Sequence, residues 1–380
     1  MDRRQSIQLL GRLALLGGTA SAAAPAFAQG NNAIVLGQSV ALSGPYGQLG
    51  QQYHLGARMF FNRLNANGGI GGRPVELRKL DDALDPDRCV ANTKQFINDG
   101  VFALFGYVGT STTAAALQLA SEARVPLFAP LTGAQSLREP FNRYLAHVRA
   151  SAWDEAAAIV KQTSAVGIQR VAVYHHDDAD GQAGLEGMRR ALSKAKLEPV
   201  SVGVMPAGSA ELSALVANAL SARAEAVVVV APYKQTAVFV RLARKGGFMG
   251  TIYTLSSVGT QALLDELGAV ASGVAVTQVV PFPYTPTNSL SAEYLAELKT
   301  DDARGLSPNY ASMEGYVAAK VFTEVARRMR APSREGFLAA LQGLSQLTLG
   351  NLNLSYGPVR NAGSTFVEIT LLTKDGNVRR

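Results

Sequence analysis

Short apolar, β-branched runs alternate with longer stretches whose apolar positions recur every three or four residues, and this alternation organises the whole chain. The apolar runs predict strands over 33–40, 75–80, 101–105, 125–128, 170–174, 226–230, 251–255 and 273–280. Helical spacing is clearest over 49–64, where Leu49, Tyr53, Gly56, Phe60 and Leu64 fall on one face, and Asn67-Gly68-Gly69 stops the helix. Further helical patterns span 112–123, 154–162, 184–195, 209–222 and 235–245. The valines from Val227 to Val230 are apolar on both faces, as in a strand covered by helices on each side. Such alternation predicts an α/β fold built from doubly wound, mostly parallel sheets. The pattern restarts near 149–151, which predicts passage into a second lobe.

In sheets of this kind ligands sit beyond the carboxyl ends of the strands. The first lobe offers Ser43-Gly44-Pro45-Tyr46, the stretch 106–111 and the stretch 130–133 there; the second offers 177–181, Pro232-Tyr233 and Ser256-Ser257. These loops are rich in Gly, Ser, Thr and Tyr, which suits hydrogen bonding to a small ligand and supplies few nucleophiles or bases. Two of them open a helix directly after a strand, before residue 49 and at Thr110-Ser111-Thr112. The first N–H groups of such helices are unpaired and carry partial positive charge, so they hold an anion or are capped by their own side chains. Both readings stay open at this level. Tyr46, Tyr107, Tyr233 and Trp153 are the aromatics near strand ends or the lobe transition, available either for packing or for the cleft.

A length of 380 residues with 47% hydrophobic and 17% charged residues fits two ordinary globular lobes. The formal charge of +7 is scattered, without a basic stripe or interleaved aromatics, so nucleic acid is not an expected partner. Residues 1–28 read as a signal peptide: Arg3, Arg4 and Arg12, an apolar stretch over 13–24, and Ala26-Phe27-Ala28 before the cleavage point. Arg3-Arg4 leaves Sec and twin-arginine export both open, and the destination is the periplasm. No Cys follows the cleavage point, so a free protein without lipid anchor is expected, as a monomer. Cys89 is the only cysteine and reads as a buried helical residue.

Signatures of catalysis are missing: no G-x-S-x-G, H-E-x-x-H, P-loop or G-x-G-x-x-G occurs. The stretch "HHDDAD" over 175–180 has metal-ligand residue types, but consecutive side chains at a strand end point in alternate directions, so a polar loop is expected, with Asp180 reaching the cleft. The acidic "DDALDPD" over 81–87 lacks the Gly and terminal Glu of a calcium loop and reads as a strand end plus a helix cap. No cofactor, metal or enzymatic activity is expected.

The segment "LSGPYGQLGQQYHLGARMFFNRLNANGGIGGRPVELRKLDDALDP" resembles the start of the type I periplasmic solute-binding proteins of ABC importers, the leucine/isoleucine/valine-binding group. The likeness continues through "LFGYVGTSTTAAALQLASEARVPLFAPLTG", "VAVYHHDDADGQAGLEGMRRAL", "VVVVAPYKQTAVFVRLARKGG" and "EGYVAAKVFTEVARR". It implies two Rossmann-like α/β lobes joined by a hinge of three crossovers, near 149–151, 277–281 and 356–358. The lobes would be 29–149 with 280–356, and 150–279 with 357–380. It also implies a solute held in the cleft by hinge closure and handed to a membrane permease; a ligand-sensing subunit of a signalling receptor is the alternative on the same fold.

By the same resemblance, a ligand carboxylate is held by Thr110 and Ser111 and by Leu131-Thr132-Gly133, with Tyr233, Asp180 and Glu314 as further contacts. Tyr46 and Tyr107 join this candidate site from the strand-end loops. Members that bind α-amino acids carry an acid where Ser256 stands here, which points to Asp180 or Glu314 as the partner of an ammonium, or to a solute without an amine. The disulfide of some relatives is replaced by Leu84 and Gly109.

Overall fold

Strands that are apolar on both faces need cover on both, and the computed structural model of the protein shows two such sheets. It describes residues 33–380 apart from 207–208, 301–302 and 304; the expected signal peptide lies outside the described residues. The first lobe is built on β1 (Ile34–Val40), β2 (Val75–Asp81), β3 (Ala103–Phe105), β4 (Leu127–Phe128) and β5 (Leu145–Ala146), with α1 (Gly47–Ala66), α2 (Pro86–Asn98) and α3 (Thr110–Glu122) between them. These strands are parallel, in the order β2-β1-β3-β4-β5.

The chain then crosses into the second lobe through α4 (Ala152–Ala165) and β6 (Val171–His175). There follow α5 (Ala179–Lys194), β7 (Ser201–Val204), α6 (Ser209–Ser221), β8 (Ala226–Val230), α7 (Tyr233–Lys245), β9 (Thr251–Thr254), α8 (Thr260–Leu267) and β10 (Val274–Gln278). It returns to the first lobe as α9 (Ser289–Glu297), α10 (Tyr310–Ala326), α11 (Arg334–Gln342) and the hairpin β11 (Leu347–Leu349) with β12 (Leu352–Leu354). A last passage ends in β13 (Glu368–Leu372) and β14 (Val378–Arg379), antiparallel additions to the second sheet, whose order is β14-β13-β10-β9-β8-β6-β7. The first and third passages are tied together: His147 N–H donates to the Asn361 carbonyl (2.7 Å), and Gly363 N–H and the Tyr356 hydroxyl donate to the His147 carbonyl (2.8 and 3.0 Å).

All five residues of β8 are buried, whereas the edge strand β7 alternates and leaves Val202 and Val204 partly exposed. The expected helix cap over 81–87 is Asp85, which accepts from the N–H groups of Asp87 and Arg88 to open α2. Cys89 is buried on that helix. Among the described residues no helix is long and apolar enough to cross a membrane.

The first lobe's core joins the sheet to α10 and α11 through edge-to-face contacts of Phe322 with Phe61, Phe105 and Phe128. Its closest joint is between α1 and α10. A Cβ built on Gly56 would lie 1.8 Å from the Ser312 carbonyl oxygen, and one on Gly315 would lie 1.9 Å from that of Tyr53. The two backbones therefore touch where each helix carries glycine. Gly315→Ala is expected to destabilise the protein by about 2 kcal/mol or more, since the opposing backbone must move. Gly343→Ala, with 3.4 Å of clearance, is the near-neutral control in the same urea titration. Equal midpoints for the two variants would contradict this packing.

Candidate functional site

The site begins with a helix that lacks a cap of its own. Gly106, at φ +63°, turns the chain after β3, and Gly109, at φ +95°, turns it again into α3. Leu131 fixes this entry: its N–H donates to the Tyr107 carbonyl (2.7 Å) and its carbonyl accepts from Gly109 N–H (3.2 Å). A Cβ on Gly109 would lie 2.4 Å from Leu84 Cδ1, so these two positions are neighbours in space. Thr112 and Thr113 turn their hydroxyls back to the carbonyls of Val108 and Gly109, and no side chain within α3 serves its first N–H.

A carboxylate from the other lobe does so. Asp180, at the start of α5, accepts from Thr110 N–H through Oδ2 (3.1 Å) and from Thr110 Oγ1 through Oδ1 (2.6 Å). Thr132 Oγ1 lies 2.6 Å from Thr110 Oγ1 and accepts from Ala134 N–H (3.2 Å). A hydroxyl has one proton, so Thr132 donates to Thr110 and Thr110 to Asp180. The result is a directed row of donors that ends on a carboxylate at a helix N-terminus, where negative charge is favoured.

Beside this cradle lies Arg149, buried at the first crossover with 2% of its side chain exposed. Its guanidinium is 3.4 Å from Glu155 of α4 and 3.4 Å from Glu314 of α10, and it donates to Ser256 Oγ. Glu155 also accepts from Ser256 N–H (2.8 Å) and from the Thr277 hydroxyl, both through Oε2. Glu314 retains acceptor capacity, and Arg149 Nε has no hydrogen-bond partner among the described residues. Burial raises the Asp180 carboxyl above its usual range against the pull of the Thr110 bonds, and burial raises Glu314 against the pull of Arg149. Burial pulls Arg149 down, but Glu314, Glu155 and Asp180 together outweigh it and leave its pKa raised.

Two small cavities of about 10 Å³ each, enough for one water, flank the guanidinium. Gly133, Arg149, Glu155 and Asp180 line one; Ser256, Glu314, Leu49 and Tyr310 line the other. The cleft is thus closed on its own side chains.

Of the residues expected from sequence, Thr110, Leu131, Thr132, Gly133, Asp180, Ser256 and Glu314 come together here. Ser111 is half-buried one residue into α3. Tyr46 is buried close enough to Asp180 and Asp178 for their charge to raise its hydroxyl pKa further, after burial itself. Tyr233 is half-buried at the start of α7 and lines neither cavity. Tyr107 is a correction: Gly106 sends it away from the cleft into the layer under α2, where its hydroxyl meets Thr93 Oγ1 at 3.0 Å. Arg149, Glu155 and Thr277 were not among the expected residues. Glu155 had a signal, a charge on the stripe of Ala152, Ala156, Ile159 and Val160 that α4 buries. The "HHDDAD" stretch is a polar loop: Asp178 caps α5 and takes His176 Nδ1 at 2.8 Å. Among the described residues no cluster of ligand side chains suits a metal ion.

Two α/β lobes, three linking passages and polar side chains that meet in the cleft from both sides define a hinged solute-binding protein. The family model described as periplasmic binding protein matches residues 33–365, and the chain belongs to that family. Its members bind solutes and are not enzymes, and this holds for the chain. It is 27% identical over 264 residues to the leucine-specific-binding protein of Salmonella typhimurium, covering 69% of this chain and 71% of the relative. The Leu/Ile/Val-binding protein of Escherichia coli K12 is 25% identical over 262 residues, again 69% and 71%. Among solved structures, a possible leucine/isoleucine/valine-binding protein from Rhodopirellula baltica superposes with a TM-score of 0.85 at 28% identity, over 92% of this chain and 96% of that one. A substrate-binding periplasmic protein from Ralstonia solanacearum gives 0.83 at 28%, over 91% and 99%.

The raised carboxyls of Asp180 and Glu314 make stability depend on pH with a definite sign. The folded state holds protons that the unfolded chain has released, so stability falls as pH rises from the ordinary carboxylate pKa of about 4 through the folded values. On going from about pH 7 to about pH 5 the melting temperature is expected to gain more in the parent than in Asp180→Asn/Glu314→Gln. Superimposable pH profiles would show that these two acids titrate normally.

Proposed function

We propose that the cleft captures a small solute bearing a carboxylate or an amide, and that the protein is a monomeric periplasmic receptor delivering it to the permease of an ABC importer. The supporting observation is the Asp180 carboxylate on Thr110: the same N–H and hydroxyl row would take the acid group of a solute once the lobes part. Arg149 Nε is a further buried donor awaiting an acceptor. In this reading residues 29–149 and 280–356 bind first, and 150–279 with 357–380 close over the solute. The permease would read the closed form, and residues 1–28 would direct export. Closure requires the solute to favour the closed state by more than it favours the open one.

The relatives named for leucine, isoleucine and valine suggest an amino-acid-like solute. Ser256 carries no charge for an ammonium, and Glu155 beside it already holds Arg149, Ser256 and Thr277, whereas Glu314 holds Arg149 alone, so we assign that role to Glu314 if the solute has an amine.

The test is calorimetry with leucine, leucinamide and 4-methylpentanoate, preceded by native mass spectrometry of protein taken from the periplasm to identify a co-purified solute. Thr110→Val is expected to weaken the carboxylate-bearing ligand about tenfold or more, as loss of a charge-assisted bond would. Asp180→Ala is expected to tighten it, because the competing carboxylate is gone. If Thr110→Val binds as the parent does, the cradle is not the solute site; if Asp180→Ala abolishes binding, Asp180 is a partner of the solute and not its competitor.

A further inference from the structure

Outside the two small cavities lies a much larger groove of about 550 Å³ whose walls come from both lobes. Arg138, before β5, supplies the first-lobe wall; Trp153 of α4 with Arg190 and Lys194 of α5 supplies the second; Arg360 and Asn361 come from the third passage. Arg190 and Lys194 are four residues apart and share one face of their helix. Arg190 lies over the Trp153 ring, 4.0 Å from its centre. Of the acids in these walls, Asp154 is committed to the capping box with Ser151, and Glu139 is exposed. Four cations thus face two acids.

The unpaired groups in the walls have one character. Arg138 Nε, Trp153 Nε1 and Asn361 Nδ2 are buried without a hydrogen-bond partner among the described residues. All three are N–H donors. Arg138 and Asn361 are themselves only 6% and 7% exposed, and Arg138 spends its other nitrogens on the carbonyls of Thr132, Ala134, Arg149 and Ala150. A buried donor left without an acceptor is costly, and each of the three walls carries one. Burial pulls the Arg138 pKa down to about 9, which leaves it charged at neutral pH.

We infer that this groove is a second binding site, for a small polycarboxylate or phosphate-bearing anion, distinct from the solute cleft. An anion of this kind offers acceptors only, which matches the orphaned donors, and adds negative charge to a lining in which the four cations outnumber Asp154 and Glu139. Because its walls belong to both lobes and to a linking passage, occupancy would bear on hinge closure.

Trp153 is the only tryptophan of the chain, so its fluorescence reports the groove directly. Citrate titrated at low ionic strength is expected to give a saturable change in emission that sodium chloride at matched ionic strength does not. Lys194→Ala/Arg360→Ala, two exposed positions that leave the Arg190–Trp153 stack in place, is expected to weaken it about tenfold. Met249→Ala, at an exposed position that lines neither site, is expected to leave it unchanged. A linear response, the same curve with chloride, an unaltered midpoint in the double variant, or loss of the response in Met249→Ala would each overturn the proposal.

Discussion

A buried guanidinium cannot stand alone, and the arrangement around Arg149 follows from that constraint. Removing such a charge from water costs several kcal/mol unless carboxylates and hydrogen bonds replace the solvent. Here the replacements come from both lobes: Glu314 from α10 on one side, Glu155 and Ser256 on the other, with Thr277 completing the shell of Glu155. Arg149 itself sits on a crossover whose neighbour His147 is hydrogen-bonded to the third passage. The first passage, α4, α10 and the loop after β9 therefore meet at one charge. Parting the lobes exposes this cluster to water, which lowers the cost of each ion as well as the attraction between them. The network is consequently a poor lock and a good register: it defines where the lobes meet and leaves the meeting reversible.

Asp180 acts within the same balance. The N-terminus of α3 has no cap of its own because the positions that would supply one are used otherwise: Gly109 has no side chain, and Thr112 and Thr113 bond backward. Its positive end is thus available to whatever carboxylate the closed cleft presents. In the closed, solute-free arrangement that carboxylate is the protein's own, and its burial beside Asp178 raises its proton affinity. A solute acid that replaces it exchanges one buried carboxylate for another, so the net gain comes from the rest of the solute. Under the proposed reading, the contacts made to the rest of the solute would be the ground on which specificity is decided.

The parts of this architecture visible in the sequence are those whose physics is local. Apolar runs such as 226–230 announce buried strands because both faces need cover, and Thr110 stands out because strand, glycine and hydroxyls follow in order. The parts that were not visible depend on distant chain. β13 and β14 join the second sheet on β10, some ninety residues earlier, and the edge strand β7 (Ser201–Val204) has too weak an apolar signal. Tyr107 looked like a cleft residue until the positive φ of Gly106 reversed its direction, an effect that strand alternation cannot convey. Arg149 and Glu155 lie six residues apart, yet their pairing has meaning only once α10 delivers Glu314 from the far end of the chain.

The cleft and the groove differ in how their charge is satisfied. In the cleft, carboxylates outnumber the guanidinium, and acids hold raised pKa values. In the groove, cations outnumber acids, and the orphaned groups are donors. Arg138 touches both: its nitrogens reach the Thr132 and Arg149 carbonyls on the cleft side, while its unpaired Nε belongs to the groove wall. One rigid side chain therefore joins the residue that donates into the cradle to the residue at the centre of the ion network. A charge arriving at the groove would act on Arg138 first, and through two backbone carbonyls on the geometry that receives the solute. Adjacency of this kind becomes coupling only where Arg138 has two arrangements that the groove and the cleft bias differently, and it is on this side chain that the proposed second site would have to act.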